Sequence, residues 1–452
     1  MILQIGRKFM EPPFGVESTG FAIDPPECRQ IRADAIRDAA SNLSKRNRSM
    51  PNRSASSALV HTLAGASLAM TLFSLGCKPP AASEAPASTA QPTVAEKIGG
   101  SDVVKLQRKA SGDGSKPEFL SATILPGRGM NLYQITANLP GKGEIPIFFD
   151  LPDQFSTPPD DANGDAGFLG GGAFLVPYPN RIRGKISPDG KTLTTEWHGK
   201  TLTLPANWKG KKDGAEPHAM HGLILKSEAE SLSTETTADG QTETGVIHAG
   251  DFGGHWPSKT DLNFSIALTG GAVDATITAK NVGDEPEPMA IGWHPYFAIP
   301  SGDRKQARLH VPGEKLALVN NYDDVFPTGK LEPVKTYENG KYDYTAPDGK
   351  PLDDDFLDDN FSTLKRTDGK VDVQLTDPAA GYGIHILGIS PEIKTVQVYA
   401  PPTKQFVAIE QQFNFGDPFG KEWHRMDTGM VTLKPGESVT WHVRLELFVP
   451  KK

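Results

Sequence analysis

FSIALTGGAVDATI, residues 264–277, carries the two signals on which the fold rests. Phe264, Ile266 and Leu268 alternate with polar or small residues, and beyond Gly270 and Gly271 the pattern resumes at Val273, Ala275 and Ile277. Alternation of period two gives each segment one apolar face, and a Gly-Gly step supplies the backbone of a tight hairpin. The C-terminal stretch VTLKPGESVTWHVRLELF, 431–448, repeats the pattern more cleanly. Val439, Trp441, Val443, Leu445 and Leu447 share one face, and Thr440, His442, Arg444 and Glu446 the other. That is a half-buried antiparallel strand, joined to the strand before it through Lys434, Pro435 and Gly436, residues suited to a tight turn. TLTTEWHG (192–199), GIHILGIS (383–390) and KTVQVYAP (394–401) read as further strands. No window sustains a 3.6-residue period with caps, and no repeat of fixed length occurs. The expected class is all-β, a large single antiparallel β-sandwich.

Composition agrees. Forty-six glycines and 38 prolines in 452 residues favour short strands joined by many turns. A formal net charge of -8 with 23% charged residues describes a mildly acidic surface and gives no basic footprint for nucleic acid. The two cysteines, Cys28 and Cys77, both precede the strand-rich part, so that part has no disulfide or cysteine-based metal framework of its own.

The N-terminal region reads as an address. A basic stretch, KRNRSMPNR (45–53), precedes the apolar run ALVHTLAGASLAMTLFSLG (58–76), which ends in SLGC at Cys77. A basic region, an apolar region and a small-residue end form a secretory signal. The sequence predicts an N-terminal extension at 1–49, a signal at 50–77 with translation starting at Met50, a Pro/Ala/Ser tether at 78–96, and the sandwich at 97–452. The SLGC end resembles a bacterial lipoprotein signal in which Cys77 is the lipid anchor, although Ser74 stands where leucine is usual. This implies an exported protein, periplasmic or at the outer membrane or cell surface, touching the membrane through that anchor only. A plain cleaved signal and a retained membrane span are the alternatives.

Four stretches hold polar groups where a strand would not want them. FLVPYPNRIRGKI (174–186) places Asn180 and Arg181 after the glycine-rich GFLGGGAF; HAMHGLILK (218–226) offers His218 and His221. A histidine pair three apart is a weak metal signal without a third ligand, and no metal is expected. In IGWHPYFAIP (291–300), Pro295 holds His294 extended, while Trp293, Tyr296 and Phe297 supply aromatic surface suited to the CH faces of a sugar. In KQFVAIEQQFNFGDPFGKEW (404–423), Glu410 ends the apolar run FVAI, and a carboxylate at the end of a buried strand acquires a raised pKa, as a general base needs. A histidine at its ordinary pKa of about 6.5 is the complementary acid. There is no phosphate-binding loop, GxSxG elbow or HExxH, so the chemistry narrows to proton transfer.

Taken in order, NRI at 180–182, HG at 221–222, HPYF at 294–297, LDDNF at 357–361 and the Glu-x-Gln of IEQQFN at 410–412 resemble the aldose 1-epimerase (galactose mutarotase) family. The likeness runs from about Gly127 to the C-terminus. It implies a supersandwich, a sugar cleft on one sheet, a free aldose such as glucose or galactose as substrate, and no cofactor. It further implies that Glu410 is the general base at the anomeric hydroxyl and His294 the general acid at the ring oxygen. His221 would bond the substrate near the reacting oxygens, and Asn180, Arg181, Asp358 and Gln412 would hold sugar hydroxyls beside Trp293.

Asp359 stands where the family pattern has histidine, which leaves Asp358 and Asp359 interchangeable as the sugar ligand, with Asp353 to Asp355 nearby. A solvated acidic loop is the plain reading of that run. Three rivals remain at this point: a non-catalytic carbohydrate-binding surface lipoprotein, an epimerase of sugar phosphates, and a glycoside hydrolase using Glu410 and Asp358 as its carboxylate pair.

Overall fold

The computed structural model describes residues 96–149 and 165–451. The expected extension, signal, Cys77 and the tether up to residue 95 lie outside the described residues.

Alternating apolar faces need an apolar partner, and here each of two large sheets is the other's partner. The seven-stranded sheet runs, in spatial order, Pro327–Pro333, Gly313–Val319, Leu357–Leu364, Thr395–Ala400, Phe406–Gln412, Gly292–Ala298 and Gly172–Leu175. The nine-stranded sheet runs Glu230–Thr236, Gly240–Gly250, Thr260–Thr269, Ala272–Asn281, Ser438–Phe448, Tyr382–Gly388, Val371–Asp377, Arg308–His310 and Lys350–Pro351. Every pairing within them is antiparallel. The Gly-Gly hairpin forms in the register its alternation dictates, with Phe264 opposite Ile277, Ile266 opposite Ala275 and Leu268 opposite Val273.

The core lies between the two sheets. Trp293, Phe297, Val396, Val398, Val407 and Ile409 from one meet Phe264, Ile277, Ile386, Trp441 and Leu445 from the other, all buried. Each such side chain contributes on the order of 1.5–3 kcal/mol on burial. Gln411 is a polar residue on a core-facing side, and it is tied across the gap. Its Nε2 donates to Ile386 O at 2.6 Å, and its backbone oxygen accepts from Trp441 Nε1 at 3.0 Å.

The turn at Lys434–Gly436 also forms. Glu437 N donates to Lys434 O at 2.9 Å, and Gly436 has a φ of 83°. The strands it joins, however, belong to different ladders. Val431–Leu433 pairs with Glu287–Met289, while Ser438–Phe448 lies between Ala272–Asn281 and Tyr382–Gly388. Local turn chemistry fixes a reversal of the chain; tertiary packing decides which strand each arm meets.

One expected sugar contact is corrected by the same two-residue period. On Gly292–Ala298, His294 and Tyr296 project from the outer face of the seven-stranded sheet, and Trp293 and Phe297 project into the core. Trp293 is 1% exposed, packs against Phe148, Phe174 and Trp441, and donates its Nε1–H to Gly172 O at 2.9 Å. A residue adjacent to His294 in sequence is on the opposite side of the sheet from it, so Trp293 belongs to the core and not to a sugar-facing wall.

Candidate active site

Alternation also selects what the outer face presents. On Phe406–Gln412, Val407, Ile409 and Gln411 face the core, leaving Ala408, Glu410 and Gln412 outward. On Leu357–Leu364, Leu357 and Phe361 enter the core, so Asp358 and Asn360 face outward. The ladder aligns these residues into transverse rows. Asn360 stands opposite Gln397, and Gln397 opposite Glu410; on the strand beyond, His294 Nε2 lies 3.2 Å from Glu410 Oε1. The neighbouring row is Asp358, Tyr399, Ala408 and Tyr296.

The ambiguity between the two aspartates resolves by face. Asp358 accepts from Gln397 Nε2 at 2.7 Å and lies 3.5 Å from Arg181 Nη2. Asp359, on the other face, accepts from Tyr322 Oη at 2.9 Å. Asp354 pairs with Lys305 at the surface, and the backbone oxygens of Asp353 and Asp355 bind the Arg304 guanidinium. These three are a structural loop and not part of the site.

A short ribbon beside this face brings the remaining candidates. Arg181–Ile182 pairs with Ala219–Met220, and Asn180 O accepts from His221 N at 2.9 Å. Asn180 (φ 65°) and His221 (φ 59°) both hold left-handed backbone, an arrangement that for non-glycine residues clusters at functional sites. Gly222 follows at φ 80°, where a Cβ would fall 2.7 Å from Val176 N and nearer still to Val176 O. Only glycine fits there. The turn sets His221 against His294, ring centroids 5.0 Å apart and nearly perpendicular.

The network is dense. Gln397 bridges Asp358 and Asn180, whose Nδ2 donates to Gln397 Oε1 at 3.1 Å; Asn180 Oδ1 in turn accepts from Arg181 Nη1 at 3.2 Å. Gln412 Nε2 donates to Glu410 Oε2 at 2.6 Å. Phe168 lies against both histidines, at 4.6 Å from His221 and 5.6 Å from His294. Yet among the described residues several buried polar atoms have no partner: Arg181 Nε, His221 Nδ1, His294 Nδ1, Gln412 Oε1 and both amide atoms of Asn360. Buried polar groups that stay unpaired are costly, on the order of 1–3 kcal/mol each, so these atoms call for a polar partner, a bound ligand or buried water.

Burial governs the electrostatics. It pushes Glu410 well above the ordinary carboxylate range, reinforced by the charge of Asp358, while Arg181 and the Gln412 bond oppose it. Burial, with the charge of Arg181, pushes His294 down to about 3 and holds His221 far below its ordinary value. His294 is therefore not the partly protonated, ordinary histidine that the sequence predicts. The two shifts act together: a carboxyl that resists losing its proton and an imidazole that resists gaining a second leave the touching pair with one proton between them over a wide pH range.

Gln397, Asn360 and Phe168 go beyond the residues the sequence singles out. Gln397 has a legible signal, a polar residue in an otherwise apolar strand; Phe168 has none, since its role follows from a single 3-10 turn, Asp165–Phe168. Among the described residues no group of three or more His, Cys, Asp or Glu is placed to hold a metal. Two open depressions of ≈ 370 and ≈ 560 Å³ meet around His310, Pro347 and Gln374, away from the acid-base row.

The family model described as aldose 1-epimerase matches residues 155–446. A solved galactose mutarotase-like protein from Clostridium acetobutylicum superposes with a TM-score of 0.61 at 21% identity, covering 78% of this chain and 98% of its own. The aldose epimerase homologue from C. elegans gives 0.56 at 17% identity, covering 78% of this chain and 100% of that one. Galactose 1-epimerase from Lactobacillus acidophilus gives 0.54 at 15%, with coverage of 78% and 100%. No curated protein matches the sequence significantly.

Proposed function

The chain belongs to the aldose 1-epimerase family, and from that premise we propose that it interconverts the α- and β-anomers of free aldoses by acid-base opening and closing of the sugar ring. The observation that carries the proposal is the buried contact of His294 Nε2 with Glu410 Oε1 at 3.2 Å. The step begins with the shared proton on His294 Nε2, across the 3.2 Å contact: Glu410 as carboxylate then takes the proton from the anomeric hydroxyl while His294 gives its Nε2 proton to the ring oxygen. The bond from C1 to the ring oxygen breaks, and the C1 hydroxyl oxygen becomes the aldehyde carbonyl. Glu410 is then the acid and His294 the base. After rotation about the C1–C2 bond, closure runs the same transfers backwards and delivers the other anomer. One proton shared by the pair is both consumed and restored, so a site that holds one proton firmly suits this cycle. Arg181, Asp358, Asn180 and Gln397 hold hydroxyls on the side away from His294, and His221 steadies the reacting end. We extend the proposal to location: the run 58–76 and Cys77 export the domain and tether it by lipid.

The test is polarimetric anomerisation of glucose and galactose. Positioned acid-base groups contribute roughly 10² to 10⁴ in rate each, so Glu410→Gln and His294→Asn fall by about that factor. A wild type that does not outpace buffer with any aldose removes the enzyme reading and leaves a sugar-binding protein.

A further inference from the structure

Two buried side chains beside the Asn180–Arg181 pair have no assigned task. Asn360 continues the catalytic row past Gln397, two strands from Glu410, or about 10 Å at the usual strand spacing. It is 5% exposed, and neither its donor nor its acceptor is used. His218 is fully buried next to the Arg181 ribbon, with its ring edge-on to Phe326 at 4.9 Å. Its Nδ1 lies 2.9 Å from Glu216 O. A carbonyl oxygen only accepts, so Nδ1 carries the hydrogen. Burial, and then the charge of Arg181, pushes the ring down to about 4, which keeps it neutral and leaves Nε2 as a bare lone pair. Among the described residues that Nε2 has no partner either.

The cations nearby are already matched, and Asp324, close enough to push the His218 ring's pKa up, adds a negative charge with one buried oxygen unpartnered among the described residues. Arg181 faces Asp358 at 3.5 Å, and Arg183 binds Glu216 at 3.0 Å. What remains open is an acceptor at His218, a donor and an acceptor at Asn360, and a donor at Arg181 Nε. A hydroxyl group donates and accepts at once and satisfies such a set. A carboxylate or phosphate oxygen has no hydrogen to give and would meet His218 Nε2 lone pair to lone pair.

We infer that His218, Asn360 and Arg181 Nε form a selectivity compartment that takes a neutral hydroxyl of the sugar remote from its anomeric carbon and rejects an anionic substituent there. This rests on the proposed aldose reading and narrows it to uncharged sugars.

The experiment reads binding without turnover, by calorimetry on the Glu410→Gln protein with glucose, galactose, their monodeoxy forms, glucuronate and glucose 6-phosphate. One deoxy position should bind on the order of tenfold more weakly than its parent, the usual scale for stranding a buried acceptor, and both anionic sugars should bind worse still. Adding His218→Leu or Asn360→Leu should erase that deoxy penalty. Asn360→Leu strands no partner and so tests the compartment if the histidine variant fails to fold. His218→Gln, whose side-chain oxygen can stand where Nε2 stood, should restore the penalty. Deoxy penalties unchanged in both leucine variants, or anionic sugars bound as tightly as glucose, overturn the inference and leave buried water as the partner of His218. Binding selectivity with no anomerisation by the wild type removes the activity alone; no binding of any sugar removes both.

Discussion

Replacing Gly222 by alanine separates the backbone's role at the site from that of the side chains. At φ 80° an L-residue pays roughly 1–2 kcal/mol for left-handed backbone. The new Cβ would also lie 2.7 Å from Val176 N and nearer still to Val176 O, and that oxygen accepts from Leu223 N at 2.7 Å. Relief of the clash displaces this hydrogen bond, at a further cost of about 1–3 kcal/mol. A total of about 4 kcal/mol, set against an unfolding entropy of about 0.7 kcal/mol/K for a domain of this length, lowers Tm by about 6 °C. Because His221 is the preceding residue, its ring moves off His294, and misplacement by about 1 Å reduces kcat by about 10². Gly436→Ala is the matched control: φ is 83° there, yet no atom lies within 4 Å of the added carbon, so it carries the conformational penalty only and leaves kcat untouched. Thermal unfolding and polarimetry on both variants decide the matter. If Gly222→Ala proves as mild as Gly436→Ala in Tm and kcat, close approach to Val176 does not position His221.

The pH profile of kcat/KM should be flat across the range between the ordinary carboxylate and histidine values, because Glu410 is raised and His294 is lowered to about 3; limbs near about 4.3 and 6.5 would contradict the shared-proton pair. Glu287 is fully buried with Thr260 Oγ1 at 2.8 Å, and burial raises it from 4.5 to about 7. Its raised folded value means a stability contribution complete below about 4.5 and lost as pH climbs through about 7, up to about 3 kcal/mol in all. Glu287→Gln should therefore melt higher than wild type at pH 8 but not at pH 4, and equal melting at pH 8 would count against it. Trp293→Phe should lower Tm by loss of its bond to Gly172 O, about 1–3 kcal/mol, with KM for aldose unchanged; a raised KM at unchanged Tm would return Trp293 to the sugar.

Much of the site is legible because it sits on strands, where one period decides both face and neighbour. The alternation in FSIALTGGAVDATI marks a hairpin that forms, and NRI, HG, HPYF and Glu-x-Gln mark the segments that meet. What escapes the sequence is whatever depends on the third dimension. The face of Trp293 follows only once His294 is known to point outward. Asp358 and Asp359 are indistinguishable as letters and lie on opposite sides of one strand. The partner of Val431–Leu433 is set by packing and not by its turn, and the low pKa of His294 by burial that no local pattern announces.

The transverse row from Asn360 through Gln397 and Glu410 to His294 has a consequence for biogenesis. Its members sit on four adjacent strands, and Glu410 and His294 are more than a hundred residues apart in the chain. No fragment of the growing polypeptide carries a partial version of the acid-base pair. Slippage of Phe406–Gln412 by one residue would turn Gln411 outward and send Glu410 into the core. On the proposed mechanism, proton transfer switches on only when long-range strand closure is complete and in register, and a return of activity on refolding would time that last closure.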